Sequence, residues 1–293
     1  GWFARKGALG PYFTPGDTAA GVRLGLTEGL AAGVTTVHDW AHNVLSSADA
    51  DANIEVHREL GLRTHYSYGA PSASPHFSAE QMEAFMASVG KRTDEPMDFD
   101  DIERIRDEWL PQGDGRLSVG VNVRVPSRST PEVYREEFGR ARDLGLPIAI
   151  NCAGTRKQVD RIRQVEILDS EGLLRDDVLL AHCNWLSPEE RVLCARAGTP
   201  VSVSPLVELR LAMGMPQISE LQADGVTVSM SLDTTALAAS ADPFMQMRVA
   251  VGLENARLQD ANALSPREAL RIATLEGARS LGLGEVAGSL TPG

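Results

Sequence analysis

The chain has 293 residues, of which 43% are hydrophobic and 23% are charged, as expected of a globular protein with one large domain or two ordinary ones. Forty acidic residues against 28 basic ones give a formal net charge of −12, which disfavours nucleic acid and anionic membrane surfaces as partners. No run of about 18 apolar residues occurs, so the sequence predicts no membrane-spanning helix.

Helix and strand signals alternate from the first residues onward. A helix begins at Thr14-Pro-Gly-Asp17, where Thr is the N-cap, Pro occupies the first helical position and Asp the third, and it ends at Gly33. In chain order the following elements are then predicted: a β-branched strand at 34–39, a helix at 49–60 capped by Gly61, a strand at 63–68, a loop at 69–77, a helix beginning at Ser78, and a helix at 100–110.

The second half of the chain continues the same alternation. Ser187-Pro-Glu-Glu190 is a full capping box, and its helix ends at Gly198. The predicted elements are strands at 117–125, 147–151, 178–182, 200–205 and 226–233, and helices at 130–145, 157–171, 187–198, 216–223, 243–258 and from Ser265.

Alternation of this kind implies a parallel sheet. We count seven predicted strands, one fewer than a closed eight-stranded barrel needs. We therefore predict a (β/α)8 TIM-type barrel forming a single domain over residues 1–293, with its first strand upstream of residue 1.

Among the predicted strands, three end at Asn151, His182 and Asp233. In a parallel α/β barrel the active site lies at the carboxyl ends of the strands. An imidazole and a carboxylate placed there suit metal ligation or acid–base chemistry, so His182 and Asp233 are candidates for both. The alternatives are a satisfied core histidine and a helix-capping aspartate.

The three cysteines, Cys152, Cys183 and Cys194, match neither a zinc ribbon nor a redox pair. An odd number without a disulfide framework predicts a reducing, cytoplasmic location. We interpret them as small buried hydrophobic side chains rather than nucleophiles.

The chain resembles the amidohydrolase superfamily, in particular its cytosine-deaminase and chlorohydrolase-like branch. The resemblance runs through nearly the whole chain, and the C-terminal segment is its most specific part. It is carried by G-V-T-T-V-H-D-W-A-H (33–42), L-L-A-H-C (179–183), V-S-V-S-P-L-V-E-L-R-L (201–211), S-L-D-T-T (231–235), D-P-F-M-Q-M-R (242–248) and A-T-L-E-G-A-R-S-L-G-L-G-E-V-A-G-S-L-T-P-G (273–293).

This resemblance implies a barrel hydrolase with one divalent metal, zinc or iron, and a small flanking β-sandwich, most of which we expect outside the chain. It implies that Asp233 ligates the metal and takes a proton from bound water, and that His182 orients water or polarises the substrate. The family's H-x-H metal pair would precede residue 1. The chain departs from the family at Asn151 and Gly154, where the family has His and a proton-donating Glu. An amide oxygen is a poor zinc ligand.

Other residues could complete the site. Glu208 could supply the missing proton donor, or form a surface ion pair with Arg210. Asn151 could bind a substrate amide. His42 could line the pocket, and Trp185 could stack on a planar ring or pack beneath its loop. We assign no role to His57, interpreted as a surface residue, or to His65 in mid-strand.

The sequence therefore predicts a hydrolase that acts on C–N or C–Cl bonds of a small heterocyclic or amide substrate through a metal-activated water. Two alternatives stay open. One is a metal-free hydrolase or lyase with Asp233 as general base and Asn151 with His182 as oxyanion donors. The other is a catalytically inactive ligand-binding barrel. The expected partner is a small molecule, and a homodimer is one open oligomeric state.

Overall fold

The computed structural model describes residues 9–42, 44–69, 95–112 and 114–292. The predicted helix beginning at Ser78, and the predicted loop beyond Gly69, lie outside these residues. The described residues form two compact units. The first contains residues up to Leu30 together with Thr35–Ile148, and the second contains Ala31–Val34 and the chain from Ala149 onward.

The first unit contains three parallel strands in chain order. His38 lies opposite His65, and Ser67 lies opposite both Trp40 and Gly120. The elements are α1 Pro15–Ala31, β1 Thr36–Ala41, α2 Ser47–Leu60, β2 Arg63–Gly69, α3 Phe99–Trp109, β3 Leu117–Asn122 and α4 Pro131–Asp143, with short 3₁₀ turns at Gly10–Tyr12 and Leu110–Gln112.

The two faces of this three-stranded sheet differ in chemistry because successive side chains point to opposite sides. One face packs on helices and is largely apolar: Val37 of β1 contacts the buried cluster of Leu26, Val56 and Leu62. Burial of each large aliphatic side chain of this kind stabilises the fold by about 1.5–3 kcal/mol. The opposite face is polar and carries His38 and Trp40 from β1, His65 and Ser67 from β2, and Ser118 and Asn122 from β3.

The second unit repeats the parallel pattern. Leu180 lies opposite Val201, which lies opposite Val228. Its elements are β4 Ile148–Cys152, which begins at the boundary, α5 Arg156–Arg161, α6 Gln164–Ser170, β5 Val178–His182, α7 Pro188–Ala197, β6 Val201–Val203, α8 Pro205–Arg210, α9 Ile218–Ala223, β7 Val228–Met230, α10 Thr235–Ala238, α11 Pro243–Leu258, α12 Pro266–Ala273 and α13 Leu275–Arg279.

The predicted alternation of strands and helices is confirmed, and so are the three helix starts with recognisable caps. Asp17 N donates to Thr14 Oγ1, and Ser187 and Ser265 form complete capping boxes. Within the residues that the structure describes, no helix is both long enough and apolar enough to span a membrane.

Three boundaries in the second unit differ from the prediction. The single helix expected at 157–171 is two helices, because Ile162 adopts an extended conformation with φ −159°. Pro205, read as the end of a strand, is instead the first residue of α8. The last strand stops at Met230, so Asp233 lies in the segment after it.

Candidate active site

The centre of the candidate site is a hydrogen-bonded histidine–glutamate pair in the second unit. His182, the last residue of β5, donates from Nδ1 to Glu208 Oε1 over 3.1 Å. The same oxygen accepts from the backbone N of Ser204 at 2.8 Å, which fixes the carboxylate over the start of α8. Because Nδ1 is engaged, Nε2 is the ring nitrogen that remains for a substrate or a metal.

Glu208 is fully buried, so the alternative of a surface ion pair with Arg210 is wrong. Arg210 donates instead to the backbone O of Leu237. The pairing places a carboxylate behind the imidazole rather than at the surface, because the first turn of α8 directs Glu208 back towards the end of β5.

The environment of His182 favours its charged form. Burial by itself would lower the pKa of His182, but the hydrogen bond that His182 donates to Glu208 and the negative charges of Glu208 and Asp233 outweigh it, so the pKa is raised above 6.5. Asp233 is exposed, and its backbone N donates to Ser231 Oγ at 2.9 Å. The site thus combines an imidazole with two carboxylates that act on it electrostatically.

Backbone strain is concentrated where these strands end. Ala153, His182, Cys183 and Asp233 adopt left-handed φ values of 44°, 76°, 59° and 57°. Non-glycine residues in this region cost of the order of 1–3 kcal/mol each, and they cluster at functional sites. These left-handed residues lie at or just after the carboxyl ends of β4, β5 and β7, which supports a functional role for this edge of the unit.

Asn151 and Gly154, the two positions that differ from the resembled family, lie at and just after the end of β4. Asn151 is exposed, and its backbone O accepts from Gln164 Nε2 at 3.4 Å. Gly154 is buried, and a Cβ placed there would lie 2.8 Å from Met213 Cε and 3.6 Å from His182 Cβ. A proton donor at position 154 would therefore stand beside His182, where the Met213 methyl group now packs.

Trp185 lies in the loop after β5. Its Nε1 donates to the backbone O of Met213, and the Arg156 guanidinium lies 5.4 Å from its ring centroid. A Cβ at Gly214 would come within 2.6 Å of Nε1, so the indole packs closely on this loop. These contacts favour packing over the predicted stacking on a substrate ring.

His42 belongs to the first unit. It is exposed, and its Nδ1 lies 2.7 Å from the backbone O of Trp40. His57, expected at the surface, is instead 1% exposed. Its Nε2 donates to Asp39 at 2.9 Å and its Nδ1 accepts from Thr64 Oγ1 at 2.8 Å. Burial would raise the pKa of Asp39, but the hydrogen bond and charge of His57 outweigh it and lower that pKa.

The cysteines are free and buried, as the sequence predicts. Burial raises the pKa of Cys183 and Cys194, which keeps both thiols protonated and unreactive.

The described residues do not form a complete metal site. No group of three or more His, Cys, Asp and Glu side chains suited to hold a metal ion occurs within 9–42, 44–69, 95–112 and 114–292. Asp233 and His182 supply two donors, whereas catalytic zinc sites use three protein ligands.

Comparison with known proteins relates the whole chain to one family. The family model described as the amidohydrolase family matches residues 2–293. The chain is 28% identical to a 5'-deoxyadenosine deaminase of Methanothermobacter thermautotrophicus, covering 94% of this chain and 60% of that protein. It is 30% identical to a 5-methylthioadenosine/S-adenosylhomocysteine deaminase of Natronomonas pharaonis, covering 92% and 59%.

Among solved structures, the chain is similar to an adenosine deaminase from Xanthomonas campestris with bound zinc, at a TM-score of 0.75 and 26% identity over 100% of this chain and 62% of that one. The expected fold class, an α/β barrel of amidohydrolase type, is confirmed by these similarities. The chain spans about three fifths of the length of the curated relatives it matches.

Proposed function

Because this chain belongs to the amidohydrolase family, we propose that it is the barrel part of a hydrolase that cleaves a C–N bond of a small aminated heterocycle. The observation that carries the proposal is the His182–Glu208 pair at the carboxyl end of β5, beside Asp233. Relatives named as deaminases of adenosine derivatives favour deamination over cleavage of a C–Cl bond.

In the proposed chemistry, exposed Asp233 is the general base that takes a proton from the attacking water. His182 presents Nε2 to the substrate and stabilises the developing charge or protonates the leaving group, and its raised pKa suits that role. Glu208 holds the imidazole in the Nδ1–H form. Asn151 offers an amide that hydrogen-bonds the substrate.

A metal enters the proposal only through Asp233 and His182. The zinc-containing relative supports a divalent metal, which would supply an activated water. Within the part of the chain that the structure describes, these two side chains do not complete a ligand set. A metal-free hydrolase is the second candidate, favoured by Asn151 at the position of the family's histidine ligand. The single-domain organisation and the cytoplasmic location remain predictions.

The test is an ammonia-release screen over aminated purines, pyrimidines, pterins and triazines, followed by substitutions. Asp233→Asn should abolish turnover with little change in melting temperature, because the change is nearly isosteric and Asp233 is exposed. His182→Ala should lower kcat by about 100-fold or more. Asp260→Asn, at an exposed loop position in the same unit, is the control and should keep full activity.

Retained specific activity in Asp233→Asn would refute the assignment of the base. Turnover that persists after chelation, with full sensitivity to Asp233→Asn, would select the metal-free candidate. A protein that binds heterocycles without any turnover would contradict the proposed function and identify a ligand-binding barrel.

A further inference from the structure

The polar face of the three strands in the first unit carries buried polar side chains that the proposed chemistry does not use. At the amino-terminal part of this face, each imidazole has a serine hydroxyl as its hydrogen-bond partner: His38 Nε2 lies 2.8 Å from Ser67 Oγ, and His65 Nδ1 lies 2.9 Å from Ser118 Oγ. The carboxyl-terminal part ends in Asn122, the last residue of β3. The sequence does not single out Asn122, because the strand predicted at 117–125 runs past it and only the structure places it at a strand end.

The Asn122 amide is held in one orientation. Its Nδ2 donates to the backbone O of Ser67 over 2.8 Å. The neighbouring strand makes room for it with a glycine, since a Cβ at Gly69 would lie 3.2 Å from Nδ2 and 3.0 Å from the Ala41 backbone O. The side chain therefore packs over β2 with its Oδ1 directed away from the Ser67 carbonyl.

Oδ1 of Asn122 has no hydrogen-bond partner within the described part of the chain, although the residue is only 6% exposed. A buried acceptor without a donor is destabilising, and native proteins retain few of them. An acceptor of this kind at the carboxyl end of a barrel strand, where ligands bind, is explained by a donor that a ligand supplies.

The same sheet face provides an aromatic surface. Trp40 lies on β1, two strand spacings or about 10 Å from β3, and Asn122 reaches back over the strand between them. The ring of His38 stacks on Trp40 with centroids 6.0 Å apart and an interplanar angle of 28°, which orients the partly exposed indole. An indole and a lone acceptor on the same sheet face suit a flat ring with an N–H at its edge.

We propose that Asn122 is a specificity-determining residue whose Oδ1 accepts an N–H from the edge of a planar heterocycle bound on this face, with Trp40 as the aromatic contact. The proposal rests on the proposed function for the class of ligand alone. It adds that the ligand is selected for a hydrogen-bond donor, an amino group or ring N–H, at the edge that faces Asn122.

The test measures binding by calorimetry to the full-length protein with two pairs of probes. Melamine and 9-methyladenine carry amino groups, whereas 2,4,6-trimethoxy-1,3,5-triazine and 6-methoxy-9-methylpurine have the same rings and no N–H. The unmodified protein should bind at least one donor-bearing probe about 10-fold more tightly than its methoxy partner, the discrimination expected of one buried hydrogen bond. Asn122→Leu should reduce that ratio to about one.

Two further variants separate recognition from folding. Ser118→Ala, on the same strand and face but bonded to His65, should leave the ratio unchanged. Asn122→Ala removes the same acceptor without adding an apolar branch over β2, and should also reduce the ratio to about one, so the test holds even if Asn122→Leu does not fold. Thermal melts of every variant accompany the binding data.

A ratio that is unchanged in Asn122→Leu would overturn the inference, as would an unmodified protein that binds none of the four probes or ignores the donor. Different results would contradict the proposed function. Asn122-dependent binding without turnover of any amine would support this binding site and contradict the hydrolase. Turnover without Asn122-dependent discrimination would support the hydrolase and contradict this binding site.

Discussion

Substitution of Glu208 by Gln tests the central pair most directly. Both donors, His182 Nδ1 and Ser204 N, bind the same oxygen, Oε1, so the amide oxygen of Gln can keep this geometry. The negative charge disappears, and an NH₂ group replaces Oε2. We expect the shape of the site to persist while its electrostatics change.

The magnitude follows from the contacts. A hydrogen bond to a charged group contributes about 1.5–3 kcal/mol, roughly twice a neutral one. Oε2 is buried without a partner in the described residues, so the new NH₂ group would be a buried donor without an acceptor. Together these effects predict a loss of about 2–4 kcal/mol in the free energy of unfolding.

The pH dependence gives a sharper signature. Since the pKa of His182 is raised in the folded state, its stabilising effect is complete below the unfolded value of 6.5 and is lost as the pH rises through the native pKa. The loss caused by Glu208→Gln should therefore be larger near pH 6 than near pH 9. NMR titration of the six histidines should show the His182 pKa move downward, and the corresponding limb of the pH–rate profile should move with it.

Glu254→Gln is a matched control. Glu254 is also fully buried in the second unit and also accepts from a backbone N, that of Ser219 at 2.9 Å, but its charged partner is Arg257. It should lose comparable stability without moving the His182 titration. If Glu208→Gln leaves the His182 pKa in place, or if Glu254→Gln shifts it equally, the electrostatic role assigned to Glu208 is wrong.

Three further results are expected. Gly120→Ala should destabilise the first unit by about 1–3 kcal/mol in chemical denaturation, because its Cβ would lie 2.4 Å from His65 Nε2. Gly139→Ala, in α4 with no atom within 4 Å of the new Cβ, should instead stabilise by about 0.5–1 kcal/mol, and equal effects would contradict the packing described. Elemental analysis should find substoichiometric metal in the purified protein and more in Asn151→His, and full zinc occupancy without the substitution would refute the argument from ligand chemistry. His57→Ala should cost about 3 kcal/mol or more in unfolding free energy, since it leaves Asp39 and Thr64 without their buried partner; a loss below 1 kcal/mol would show the network to be dispensable.

The sequence predicted most of the fold where local signals and tertiary packing agree. The strand ending at His182 was placed at its observed bounds, because turn residues precede it and the capping box of Ser187 follows it. The prediction was wrong at Pro205, since a proline after an apolar run suits both the end of a strand and the first turn of a helix. The break at Ile162 has no local signal, because isoleucine is tolerated in helices and packing decides its conformation.

The candidate site was predictable only as a set of strand-end residues. The partner of His182 lies 26 residues further along the chain, and only the path of α8 brings Glu208 back to it. For the same reason His57 was misjudged: whether its side chain faces solvent or Asp39 depends on which side of α2 packs on the sheet.

The left-handed residues at the strand ends have a consequence for engineering. Glycine adopts these φ values without strain, so Ala153→Gly and Cys183→Gly would relieve a conformational cost, although burial makes the loss of the Cys183 side chain a cost of its own. Selection for heat resistance alone would then favour relaxed strand ends, which position His182 and Asp233 less firmly. A gain in stability at Ala153 or Cys183 would thus come next to the residues where, under the proposed function, turnover depends on a fixed backbone.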